Sequence, residues 1–187
     1  MPRRFYRSRI RYIKPKKKWS TNIVSDDLSF TASINSNNQP YWMSHALVTN
    51  SGASSSPTPV VIKAGNFKAQ GLIAGDTENA GARILDMGCY IMFVPEGISP
   101  TNASAAFQLI GLHPEWIMGW TMVNIAHVAS LGTDDWASKF SLSSRLKRNL
   151  NSGDQVQLWI VGHYDNGQSA TPTFKVKFTS QFWTTSV

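Results

Sequence analysis

Residues 140–160 read FSLSSRLKRNLNSGDQVQLWI. In the first half, Phe140, Leu142, Ser144 and Leu146 fall on one side of an extended chain, and Ser141, Ser143, Arg145 and Lys147 on the other. Successive side chains of a strand point to opposite faces, so a period of two marks a strand with one buried face. Asn151-Ser-Gly-Asp154 is turn chemistry. Beyond it Val156, Leu158 and Ile160 alternate with Gln155, Gln157 and Trp159. Strand, polar break, strand is the rhythm of the whole chain after Trp19.

Upstream, Leu28, Phe30, Ala32 and Ile34 share one face of a strand over Thr21–Ile34. A second strand is expected over Tyr41–Thr49. A third, over Val60–Ile73, should be interrupted or bulged near Gly65. Arg83–Val94 is a strong strand with Leu85, Met87, Cys89, Ile91 and Phe93 on one face. Ala103–Leu112 can hold a helical turn. Glu115–Ala126 reads as strand because β-branched and aromatic residues dominate it, although a buried helix over Trp116–Leu131 is the competing reading. Downstream, Asp165-Asn166-Gly167 is a hairpin signal, and Thr173–Thr184 sets Phe174, Val176 and Phe178 against Lys175, Lys177 and Thr179. About eight strands without a βαβ rhythm predict an all-β chain: one eight-stranded antiparallel jelly roll, a two-sheet sandwich, over residues 19–187.

Residues 1–18 are different. Arg3 to Lys18 reads RRFYRSRIRYIKPKKK and holds nine of the eighteen Lys and Arg residues: Arg3, Arg4, Arg7, Arg9, Arg11, Lys14, Lys16, Lys17 and Lys18. The rest carries nine basic and eleven acidic residues, a net of −2, so the chain's +7 belongs to this arm. Self-repulsion, little apolar surface and Pro15 predict an arm without fixed structure. Nucleic acid, an anionic membrane or an acidic polysaccharide would each attract it. A membrane helix would need an apolar face, which is missing. Phe5, Tyr6 and Tyr12 can stack on unpaired bases while the arginines grip phosphates, which favours nucleic acid, DNA or RNA. Nine contacts to single-stranded phosphates would give a salt slope of about −6 in log K. Lys14, Lys16, Lys17 and Lys18 also match a short nuclear-import signal.

Neither a secretory signal nor a membrane-spanning run is expected; the longest uninterrupted apolar run is Cys89 to Val94. Cys89 is the single cysteine, so no intrachain disulfide forms, and a reducing compartment is the natural reading. It reads as a small core residue. No phosphate-binding glycine loop, nucleophile elbow or H-E-x-x-H occurs. His45, His113, His127 and His163 are scattered, so no metal site and no cofactor are expected. Asp26-Asp27, Asp134-Asp135, Glu96 and Glu115 do not define a catalytic pair, so the chain is not read as an enzyme. Asn102-Ala-Ser104 matches a glycosylation sequon and reads as chance. Most of the seven tryptophans belong in a core, but Trp159 and Trp183 fall opposite the apolar rows of their strands. They are candidate subunit-interface residues, and self-association is expected.

Tyr90-Ile-Met-Phe-Val-Pro-Glu-Gly97, His113-Pro-Glu-Trp-Ile117 and Phe140 to Asp154, behind a basic arm, resemble the capsid proteins of circular Rep-encoding single-stranded DNA viruses, the circovirus-like group. The resemblance implies a structural protein whose sixty copies close into a T=1 icosahedral virion around circular single-stranded DNA, with RNA an alternative cargo in recombinant particles. It implies an interior arm that binds DNA through its nine cations and engages a host nuclear-import receptor, with assembly in the host nucleus. Arg145, Lys147 and Arg148 are further candidates for nucleic acid or a subunit contact. The body is short for a circovirus, so host and attachment receptor do not carry over. A non-viral, RNA-associated β-protein with a basic tail is the alternative reading.

Overall fold

The computed structural model describes residues 18–31, 39–52, 60–76, 83–123, 136–165 and 173–186. Eight strands and one helix follow in order: β1 (Ser20–Thr31), β2 (Gln39–Thr49), β3 (Ile62–Asp76), β4 (Arg83–Val94), α1 (Ala103–Leu112), β5 (Ile117–Met122), β6 (Trp136–Leu150), β7 (Gln155–Asp165) and β8 (Thr173–Ser186). They form two four-stranded antiparallel sheets, β1-β8-β3-β6 and β2-β7-β4-β5.

Four of the pairings are nested: β1 with β8, β2 with β7, β3 with β6, β4 with β5. The chain is one long hairpin rolled into a sandwich, which is the jelly roll expected from the sequence. Among consecutive strands only β4 and β5 are neighbours; every other step crosses between sheets. The Asp165-Asn166-Gly167 hairpin is therefore corrected. β7 pairs with β2 and β4, and β8 with β1 and β3, so β7 has no edge left for β8.

The alternating residues meet between the sheets. Phe174, Val176, Phe178 and Phe182 of β8, Phe67 and Ile73 of β3, and Phe140 and Leu142 of β6 pack on Met87, Cys89 and Ile91 of β4 and on Val156, Leu158 and Ile160 of β7. Tyr41 stacks on Phe174 and Phe67 on Phe182, with centroids 5.4 and 5.2 Å apart. The bulge expected near Gly65 is present: the register shifts after Gly65, where Asn66 takes φ 53°.

A second, smaller core lies on the far side of the β2-β7-β4-β5 sheet. There α1 brings Ala106, Leu109 and Ile110 over Met92, Val94, Trp42 and Trp159. The Asn102 side chain caps α1, accepting from Ala105 N–H at 2.9 Å, which gives the sequon asparagine a structural role. Trp159 does lie opposite Val156, Leu158 and Ile160, but the helix covers it and 1 % of its surface remains exposed. Its expected place at a subunit interface is corrected to the chain's own core. Between α1 and β5 lies one 3₁₀ turn, Pro114–Trp116, so the strand expected from Glu115 begins at Ile117 and the buried-helix alternative is not adopted there.

The two sheets are tied at one corner. The buried Asp154 carboxylate accepts Glu96 N–H at 3.0 Å and Asn151 N–H at 2.8 Å. The Asn50 amide donates to the carbonyls of Val60 (2.7 Å) and Leu150 (2.8 Å), and Asn50 N–H donates to the Asp154 carbonyl. Removing either side chain strands buried polar groups, at about 1–3 kcal/mol. Asp154→Ala and Asn50→Ala are each expected to lower the denaturant midpoint with an unchanged m-value. A loss below about 0.5 kcal/mol for both, small beside that penalty, would show that water replaces these bonds and the corner does not hold the sheets.

Candidate nucleic-acid interface

The rule that buries one row of each strand exposes the other. On the outer face of the β1-β8-β3-β6 sheet, Lys68, Lys139, Arg145, Lys147, Lys175 and Lys177 are exposed and Lys63 is half-buried. These are seven of the nine Lys and Arg residues that follow Lys18. Asp27, level with Lys177, is the acid on this face among residues whose side chains are described. Asp26 turns the other way, toward His45 of β2 at 3.5 Å. None of the seven cations forms an ion pair with a carboxylate of the described residues. A near-neutral body thus carries a strongly polarised surface, uncompensated from within.

The arm enters the fold at this face. Thr21 of β1, Trp183 of β8, Gly65 of β3 and Lys147 of β6 form one row across the sheet. A Cβ at Gly65 would lie 2.5 Å from Lys147 Cγ and 2.9 Å from the Leu146 carbonyl oxygen, so only glycine lets the Lys147 stem lie across β3. Its Nζ then sits 5.2 Å from the centroid of the Trp19 ring, a cation–π contact at the root of the arm. Lys18 is exposed just before Trp19.

Arg3, Arg4, Arg7, Arg9, Arg11, Lys14, Lys16 and Lys17 lie outside the described residues. Arg145 and Lys147 share the basic face, and Trp183 is half-buried on it. Arg148 does not belong with them. It turns across the sandwich edge, donates to the Glu115 carbonyl and lies over the Phe93 ring at 5.6 Å. Lys63, Lys68, Lys139, Lys175 and Lys177 were not singled out from sequence. Their alternation with Ala64, Ala69, Phe140, Val176 and Phe178 was the available signal. What that signal lacks is that β6, β3 and β8 are neighbours.

Other groups give no competing centre. Burial pushes the Cys89 thiol up to about 12. His163 Nδ1 lies 2.9 Å from Asp86 and His113 Nδ1 2.9 Å from Glu115. The bond from His113 holds the Glu115 carboxyl below its ordinary range. Among the described residues no three His, Cys, Asp or Glu side chains converge to hold a metal, and no helix is long and apolar enough to cross a membrane.

No protein-family model matches the chain, and no curated protein matches it by sequence. Among solved structures, weak overlaps are with structures of infectious bursal disease virus. The VP2 subviral particle superposes with a TM-score of 0.28 at 10% identity, covering 94% of this chain and 45% of that one. The Gx strain gives 0.28 at 8%, covering 93% and 44%, and the Gt strain 0.25 at 9%, covering 92% and 42%. The chain therefore spans under half the length of these structures, and at such scores the functional reading rests on its own geometry.

Two measurements check the site. Lys147→Gln should weaken binding to single-stranded nucleic acid and reduce the salt slope by about 0.7 while costing about 0.5 kcal/mol of stability through the lost cation–π contact, whereas Arg148→Gln should cost about 1 kcal/mol of stability and leave the slope alone; the reverse pattern would exchange their roles. Cys89, protonated at neutral pH and buried, should react with an aromatic disulfide reagent only after denaturation, and rapid reaction of the native protein would contradict its burial.

Proposed function

We propose that the chain is a structural capsid protein that assembles with copies of itself into a small closed shell and retains single-stranded DNA inside it. One observation carries this reading: seven cations without ion-pair partners among the described residues cover one sheet face, and β1, the strand that follows the nine-charge arm, starts on that face. A polyanion laid on the face would meet arm and sheet as one surface. The phosphate backbone supplies such charge at regular intervals.

A shell also needs contacts between copies. On the outer side of the second sheet, Trp120 and Met122 of β5 are 60% and 53% exposed, and Trp120 stacks on Tyr90 with centroids 6.4 Å apart. Among the described strands β5 pairs only with β4, so this apolar patch lies at the edge of the described sheet. Charge on one sheet and apolar surface on the other give the subunit two distinct contacting sides. The finer expectations belong to the same reading: sixty copies with T=1 symmetry, a circular genome, and import into the host nucleus through Lys14, Lys16, Lys17 and Lys18.

Electron microscopy of the expressed full-length protein, with absorbance at 260 and 280 nm on the same fraction, tests it. Uniform small spheres carrying nucleic acid are expected. Trp120→Glu should give a folded, soluble subunit that forms none. A wild-type monomer free of particles across salt and pH would overturn the shell and leave an RNA-associated module.

A further inference from the structure

The basic face is not flat. Around the Gly71 peptide at its centre lies an open depression of ≈ 600 Å³, lined on the sheet's outer side by Gln70, Leu72, Lys139, Ser141, Lys177 and Thr179. The register sorts these six into two rows. Leu72 stands between Lys139 and Lys177, and Gln70 between Ser141 and Thr179. Strand geometry places the rows about 7 Å apart and the two lysine backbones about 10 Å apart. One row is cationic with an apolar centre; the other is neutral and hydrogen-bonding.

We propose that this depression is a nucleotide-binding niche for one unpaired residue of the retained strand, its phosphate between Lys139 and Lys177 and its base over Leu72 against Gln70 and Ser141. This rests on the nucleic-acid reading of the face and adds a defined site to it. Leu72 is 39% exposed, an apolar surface that a base can cover. The side chains of Gln70 and Ser141 have no hydrogen-bond partner among the described residues, and Thr179 shares its hydroxyl with Ser25 at 3.0 Å. Gln70 offers both donor and acceptor, so it accepts any base edge. Asp27 is the direct neighbour of Lys177 and offsets part of its charge; Lys139 lies three strands from Asp27 along the same row, with no described acid beside it. The volume falls within the range of small-ligand sites and suits one nucleotide with its water. Both lysine stems present apolar walls while their ammonium groups reach outward.

The test uses the full chain and a short oligothymidine carrying 4-thiothymidine, crosslinked by light and mapped by peptide mass spectrometry. Crosslinks are expected in the peptides holding Gln70–Leu72 and Lys139–Ser141. Lys139→Gln with Lys177→Gln should reduce them at least five-fold, whereas Lys68→Gln with Lys175→Gln, which removes the same charge from the same face, should leave them within two-fold. An excess of inorganic triphosphate should compete less well than the unlabelled oligothymidine at equal charge. Equal losses in the two doubles, or crosslinks spread evenly over the face, would overturn the niche and leave a uniform polycationic surface. No binding by the wild-type chain would instead overturn the nucleic-acid reading beneath it.

Discussion

The sandwich depends on one buried polar corner. Where β6 ends, the chain leaves one sheet and joins the other within four residues, and Asn50 and Asp154 gather the backbone groups that this step would otherwise leave unpaired. Asn50 spans Val60, Leu150, Gly153 and Asp154; Asp154 spans Asn151 and Glu96. Segments preceding β3 and β7 and following β2, β4 and β6 therefore meet at one place. Buried backbone groups must find partners, and here two short side chains supply them. The core needs only apolar alternation, but its closure needs these two residues at these positions.

Closure has an electrostatic consequence. Nested pairing sets β8 between β1 and β3, and β3 between β8 and β6, so the outward rows of three lysine-bearing strands lie side by side. Like charges on adjacent strands repel, and among the described residues Asp27, beside Lys177, is the one acid on the face to offset them. The folded subunit stores that repulsion at about the scale of a few surface pairs, each worth up to about 1 kcal/mol. A bound polyanion removes it. On the proposed reading, binding would be favoured by attraction to phosphate and by relief of repulsion already present in the free protein, and would weaken steeply with salt.

Much of this was legible in the sequence because strands write their faces into a period of two. Phe174, Val176 and Phe178 are buried and Lys175 and Lys177 exposed, as the alternation required. Bulge and strand count also followed from local chemistry. What failed was non-local. Trp159 was assigned the correct face, but whether that face meets water depends on α1, about fifty residues away. Asp165-Asn166-Gly167 has the residues of a tight hairpin turn, yet pairing is decided by which edges are free, and β7 had none. The basic face was invisible because its charges come from three strands whose adjacency no local pattern encodes. Arg148 shows the converse: next to Lys147 in sequence, it turns across the edge of the sandwich toward the other sheet.

Arm and sheet then divide one task by physical regime. A polycation expected to lack fixed structure follows any arrangement of phosphates, but it loses conformational entropy wherever it binds. The sheet lysines are already placed, so they lose only side-chain freedom and impose a spacing set by strand geometry. Trp19 and Lys147 join the two regimes at a single contact. On the proposed reading the arm gives reach and the sheet gives position, and a nucleic-acid strand would be held by both. That arrangement would suit the proposed subunit, which would retain a long nucleic acid of arbitrary sequence while keeping its own fold unchanged.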